Sequence, residues 1–235
     1  MIDESIVVAI RPFYTAITEP FDEEKPLASF YNEEECDFKY FPGLAVSQKK
    51  KSVESLHSAI LMKYPSARIL EVSTKSSLEL GRALSAFNLK WIDKKEEKAW
   101  FVESIYQGSK CFEEGGPYRD LFEKTAQEAK TDPRLKNSGK IKCYMFQGKE
   151  WSLSPPFMFY DYLYIRSLNY NTHLHAPLME FDTFTDIEFN NKKSLNCQAR
   201  AVAIFVTLKR NNLVEEYLRN KGEKFGTIYE TILLV

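Results

Sequence analysis

Glycine is scarce in this chain: nine residues in 235, against 17 Phe and 13 Tyr. So few flexible turn positions argue against a turn-dominated all-β fold. Cysteine is scarce as well. Cys36, Cys111, Cys143 and Cys197 stand far apart with no CxxC pair, which fits neither a zinc knuckle nor a thioredoxin-like motif and reads as free thiols in a reducing compartment. His173 and His175 are two apart, and no Cys or carboxylate spacing completes a metal set, so no metal site is expected. An excess of either charge is missing too: the net charge is −1. That excludes a general nucleic-acid coat, which needs a strong basic surplus, and restricts any DNA contact to a local patch such as Lys49-Lys50-Lys51 or to one nucleotide. No apolar run approaches the ~20 residues of a membrane span. The N-terminal MIDESIVVAIRPF has acidic residues where a signal peptide needs basic ones. A soluble, cytoplasmic protein with no membrane partner is expected.

What is present is an ordinary globular composition, 44% apolar and 28% charged, long enough to bury a substantial core. Residues 7–10 and 13–17 read as a β segment broken by Arg11-Pro12, and the acidic stretch 19–35 as a loop. Residues 37–41 (DFKYF) alternate polar and aromatic, the period of a half-buried strand. Over 52–63, Val53, Leu56, Ile60 and Leu61 form one stripe, predicting an amphipathic helix with Ser52 as N-cap and Pro65 as its end. Residues 68–73 follow as a strand. Residues 1–75 thus read as a β-containing N-terminal extension packed on a main domain of residues 76–235.

The main domain reads as helix-rich. Helices are predicted over 77–84, 99–112, 118–130, 157–168, 176–181 and 194–211, extended pieces over 141–147 and 229–235, and loops at Asp132-Pro133 and Asn137-Ser138-Gly139. The fold class is therefore α+β.

The most informative string is Glu103-Ser-Ile-Tyr106-Gln107-Gly-Ser-Lys110. On a helix, seven residues turn about 700°, which puts Glu103 and Lys110 on one face roughly 10 Å apart. Such a carboxylate and amine can flank a small sugar, with Tyr106 and Gln107 on the intervening face to pack or hydrogen-bond a polar ligand. Glu103 follows Trp100-Phe101-Val102, where burial would raise its pKa toward acid–base use. Spacing alone equally allows two solvated ends of an amphipathic helix.

The string VESIYQGSKCF resembles the motif of the NADAR (YbiA-like) family, in which a helix carries Glu, Gln and Lys at these offsets. Upstream, Leu84-Ser85-Ala86-Phe87-Asn88 is similar to the family's (L/F)SNF element, with Ala86 at the usual Asn and Asn88 as a substitute nearby. Downstream come Trp151 before a helix, Thr185-Asp186-Ile187-Glu188-Phe189 in place of Asp-x-x-Trp, and Asn196 opening the last helix, in the family's order. YQGSKCFEEGGPYRDL, RLKNSGK and FYDYLYI, with FKYFPGLAVSQKKKSVESLH toward the N-terminus, narrow the resemblance to the DarT-associated NADAR antitoxins.

That resemblance implies hydrolysis of ADP-ribose from guanine in DNA, single strands being the expected form, with free ADP-ribose as product. It implies no cofactor and a cognate DarT-type toxin as partner. Glu103 would position water and shuttle a proton, and Lys110 would capture the opened sugar as a Schiff base. Ser85, Phe87, Asn88, Tyr106 and Gln107 are expected around the ligand. Trp151 offers a stacking face or a core anchor, Asp186 a ribose contact or a turn cap, and Asn196 an N-cap or a phosphate contact. Gly115 and Gly116 present backbone N–H groups to a pyrophosphate or form a plain turn. Tyr160 and Asp161 are further pocket residues on resemblance alone. Two alternatives stay open: a glycosidase for ribosylamino-pyrimidine intermediates of riboflavin metabolism, and a non-catalytic antitoxin that binds its toxin.

Overall fold

The computed structural model describes residues 7–19, 30–190 and 196–220. The strand expected at 229–235 lies outside them.

Strands β1 (Val7–Ala16) and β2 (Tyr31–Tyr40) pair antiparallel from Val7↔Tyr40 to Ala16↔Tyr31. The expected break at Arg11-Pro12 does not occur. A later strand, β9 (Thr183–Thr185), covers the other edge of β1 only at Phe13–Thr15, so Pro12, which has no N–H, sits where that edge is open. Residues 31–35 are strand, not the loop their acidity suggested, because Tyr31 is buried edge-on against Tyr14 at 5.6 Å and anchors the pairing.

Helix α1 (Val46–Lys63) begins six residues before Ser52. Ser52 is therefore no cap: it is buried inside the helix, where its Oγ accepts from Phe41 N at 3.0 Å and donates to Phe41 O at 3.3 Å. Val53, Leu56 and Ile60 pack on Phe13, Phe38 and Ile187, and Tyr64 closes the helix before Pro65.

Next come β3 (Ile69–Glu71), α2 (Glu79–Ala83) and the hairpin β4 (Lys90–Asp93) with β5 (Lys98–Phe101). Then follow α3 (Val102–Gly108) and β6 (Lys110–Phe112), where one long helix was expected over 99–112. The helix expected over 118–130 is likewise divided, into a 3-10 turn at Arg119–Glu123 and α4 (Ala126–Thr131), which starts on a Thr125–Glu128 capping box. Short α5 (Arg134–Asn137) leads to β7 (Ile141–Phe146) and β8 (Lys149–Trp151). The chain continues through α6 (Met158–Tyr170), α7 (His175–Leu178), β9 (Thr183–Thr185), α8 (Gln198–Arg210) and α9 (Val214–Arg219).

The sheets run β2-β1-β9-β3, β4-β5 and β6-β7-β8, and with the helices they make an α+β fold. In the first sheet β9 lies antiparallel to β1 and parallel to β3, so the N-terminal strands close on a strand from beyond residue 180. Helices α6 and α8 form the centre. Every residue of α8 from Ala199 to Leu208 is buried, the signature of a helix packed on all sides. Its Arg200 is tolerated there because Asp161 of α6 accepts from it at 3.0 Å and Phe157 lies 4.0 Å beneath the guanidinium. No helix of the described residues is long and apolar enough to cross a membrane.

Candidate active site

Helix α3 is short because its flanks belong to sheets. Strand β5 delivers the chain to Val102, and at the other end Met145 N donates to Ser109 O at 2.7 Å, drawing Lys110 into the sheet with β7. Gly108 lies so close to its neighbours that a Cβ would stand 2.7 Å from the Phe122 ring and from Tyr118 O. All seven residues of α3 are buried.

Glu103 and Lys110 therefore do not share a helical face. They meet by another route, at the wall of a cleft of about 1220 Å³. Gln107 Nε2 donates to Glu103 Oε1 at 2.9 Å, and Lys110 Nζ donates to Gln107 Oε1 at 2.6 Å. Glu103 is only 6% exposed, held by its own N–H on Ala86 O at 3.0 Å and faced by Lys130 Nζ at 3.7 Å. Burial pushes the Lys110 amine down to about 8, Glu103 pulling it back up and Lys130 pressing it further down. Lys110 Nζ also stands 4.8 Å over the Tyr106 ring.

Tyr106 is fixed by its hydroxyl, 2.8 Å from Tyr144 Oη, and accepts from Asn196 Nδ2 at 2.6 Å. Asn196 lines the cleft but does not cap α8; Cys197 holds the cap position. Ser85 and Phe87 line the cleft beside Glu103, where Lys130 Nζ is 5.0 Å from the Phe87 ring centre. Ala86 donates its N–H to Gln198 Oε1 at 2.8 Å.

Asp186 faces the cleft, its Oδ1 accepting from Glu188 N at 3.1 Å. Burial and the Glu71 carboxylate push it up to about 8. Phe189 and Tyr160 complete this side, whereas Asp161 is turned away into the Arg200 pair.

Four expected residues lie elsewhere. Asn88 is exposed and donates to Arg82 O at 2.8 Å, closing the turn after α2, so it does not stand in for the family's Asn. Trp151 is a core anchor, packed on Tyr162 at 4.7 Å and Phe159 at 5.4 Å. Gly115 and Gly116 form a turn outside the cleft. A Cβ on Gly116, at φ +84°, would stand 2.2 Å from Lys110 O, so this glycine lets the turn fold onto the strand carrying Lys110.

Sequence reasoning missed Lys75, Lys130, Glu188 and Gln198, which line the same cleft. Gln198 stands next to the recognised Asn196-Cys197, and Glu188 lies inside the recognised 185–189 element between the positions that drew attention; Lys75 and Lys130 lie in polar stretches without a local pattern. Lys75, Lys110 and Lys130 stand with Glu103, Asp186 and Glu188, so the lining offers cations to anionic groups and carboxyl oxygens to hydroxyls. Among the described residues no group of three or more His, Cys, Asp or Glu could hold a metal ion.

The family model described as DarT1-associated NADAR antitoxin matches residues 9–232. The chain belongs to this family. A comparison with curated proteins finds no match. The match to the NADAR antitoxin model takes in most of β1, all of β2 and β3, and the central helices.

Proposed function

We propose that this NADAR antitoxin hydrolyses the bond between ADP-ribose and the exocyclic amine of guanine in DNA, reversing the modification made by a DarT-type toxin. The observation that carries the reading is the Glu103–Gln107–Lys110 relay on the cleft wall.

The scissile bond is a glycosylamine. Glu103 takes a proton from water as the water attacks the anomeric carbon, the bond's electron pair leaves with the guanine nitrogen, and Glu103 passes that proton on to the departing amine. Lys110 serves a second route. The opened sugar presents C1 as an imine to guanine, and the neutral lysine amine adds there. Guanine leaves as its free amine, and water then hydrolyses the lysine Schiff base to release ADP-ribose. With its affinity near 8, about a quarter of Lys110 is neutral at pH 7.5.

Size supports the same reading. A cleft of about 1220 Å³ exceeds the ~300–1,000 Å³ usual for small ligands, room suited to ADP-ribose with its attached base rather than to a ribosylamino-pyrimidine. A base reaching so buried a pair must leave its stack, which favours single-stranded DNA. Neither route calls on a cofactor.

The test is release of free ADP-ribose from an oligonucleotide carrying ADP-ribosylated guanine. The natural chain releases it, and Glu103→Gln slows release by about 100-fold or more. Full-rate hydrolysis by that variant overturns the role of Glu103. Untouched DNA with co-elution of the toxin identifies a binding antitoxin instead.

A further inference from the structure

Behind Asp186, outside the cleft, lies a second carboxylate. Glu71 ends β3 and is 2% exposed, yet both its oxygens are used. Oε1 accepts from Ser73 Oγ at 2.6 Å and from Ile187 N at 2.9 Å, and Oε2 accepts from Thr185 Oγ1 at 2.7 Å. Two of these donors, Thr185 and Ile187, are the immediate chain neighbours of Asp186. A third link between the segments runs from Val72 N to Thr185 O at 2.7 Å. Glu71 thus grips the turn on both sides of Asp186 and sets where that side chain enters the cleft.

The groups that face the two carboxyls directly are acidic or neutral. Asp186 is faced by Glu71 from β3, by Glu188 from its own turn, by Tyr160 and Tyr164 from α6, and by Cys197 and Gln198 at the start of α8. From α1, His57 Nε2 lies 2.9 Å from Thr185 Oγ1. Because the single hydroxyl proton of Thr185 goes to Glu71, His57 must donate here. Burial pushes His57 down to about 4, so it brings no positive charge. Lys75 is 3.7 Å from Glu188, and among the described residues no cation forms an ion pair with Glu71 or Asp186.

Two buried carboxyl groups without a cation oppose each other's ionisation, so near neutral pH one of them keeps its proton. Hydrogen bonds decide where it rests. Glu71 has three donors that favour its anion, against the Glu188 N–H and Gln198 for Asp186. The negative charge settles on Glu71.

We propose that Glu71 is a positioning residue that keeps Asp186 in its carboxylic acid form, so that the cleft presents a hydrogen-bond donor at Asp186 instead of a further anion. A carboxylate there accepts hydrogen bonds only and repels a pyrophosphate; the acid donates to a phosphate or sugar oxygen. The inference deepens the proposed ADP-ribose reading, but its test stands apart from that reaction.

Carbon NMR of the full chain labelled at the aspartate carboxyl carbon reads the protonation directly, with the Asp186 signal assigned through Asp186→Asn. The natural chain titrates at Asp186 near 8, and Glu71→Gln moves that midpoint down by at least one pH unit. Should Glu71→Gln fail to fold, Thr185→Val removes one donor from Glu71, drives the proton onto Glu71, and lowers the Asp186 midpoint as well. A midpoint in the usual range near ~4 in the natural chain, or one that the folded variant leaves in place, overturns the inference. ADP-ribose affinity measured alongside is expected to fall at least threefold at pH 7 in Glu71→Gln. Lys110 loses charge in the same pH range, so the carbon signal and not affinity decides. Asp186 titrating as described in a chain that releases no ADP-ribose would leave this inference standing and sink the proposed reaction.

Discussion

Glu103 and Lys110 are coupled through one amide: Gln107 gives its NH2 to the carboxylate at 2.9 Å and its carbonyl to the amine at 2.6 Å. The neutral spacer keeps the pair from collapsing into a direct ion pair, which would hold the lysine protonated. Gln107→Glu places a carboxylate against Lys110 and should raise its proton affinity. Expected is a 10- to 100-fold fall in kcat/KM at pH 7.5, partly recovered at pH 9. A pH-independent loss would show that Gln107 acts by shape alone.

Lys110 is an amine whose affinity is lowered to about 8, so its neutral fraction grows as pH rises through that value. Borohydride trapping of the chain with ADP-ribose should yield a covalent adduct by intact mass. Its initial rate should increase roughly twenty-fold between pH 6.5 and 8.5, following the neutral fraction. Lys110→Arg should give no adduct. An adduct mapped to Lys75 or Lys130 would remove the covalent role from Lys110.

The carboxyl pair also predicts how stability depends on pH. Glu71 and Asp186 are raised in the fold, to about 7 and about 8, so the folded chain binds protons that the unfolded chain releases near ~4. Their contribution is complete below pH ~4 and is lost as pH rises through 7 and 8. The partly buried His57 and His175 work with the opposite sign below ~6.5, and Lys110 does so between about 8 and ~10.5. Thermal denaturation should therefore show the Tm of the natural chain falling between pH ~6.5 and 8, and Asp186→Asn should flatten that slope. At pH 8 the variant should match or exceed the natural chain by about 2–4 °C. A natural chain whose Tm rises over this window contradicts the raised proton affinity of the carboxyl pair.

Gly81 in α2 offers a stability test close to Glu71. A Cβ there would lie 2.1 Å from Glu71 O and 2.3 Å from Ser76 Oγ, and the first of these is backbone that cannot step aside. Gly81→Ala should cost about 1–3 kcal/mol by urea denaturation, more than the small gain an alanine brings to an open helix position. An unchanged midpoint would mean that α2 shifts freely against β3.

How far the sequence was legible follows from particular residues. Helices α6 and α8 stand close to their expected ranges because their apolar runs are long and bounded by Pro155-Pro156 and by the Asn211-Asn212 turn. The segment 99–112 misled because Trp100, Ile105 and Phe112 come from a strand, a helix and another strand, all partly or fully covered by the fold. An unbroken apolar run carries no period to tell these apart. Ser52 looked like a cap because capping is a local signal, while its partner Phe41 comes from the end of β2. At the site, Glu103, Gln107 and Lys110 were legible as one motif. Glu71 was not, since its partners lie 114 and 116 residues away and Glu-Val-Ser matches the end of any strand. Trp151 stays open between a stacking face and a core anchor in the sequence because an indole serves both equally well; Phe159 and Tyr162 beside it decide for the core.

The place of β9 between β1 and β3 governs when this protein becomes competent during synthesis. A ribosome that has released the first hundred residues has released two outer layers with nothing to zip them together. The middle strand and the acid that follows it emerge only some eighty residues later. A partly made chain thus has the Glu103–Gln107–Lys110 relay without Asp186, Glu188 and Phe189, and the cleft lining is complete only once the residues after β9 have emerged.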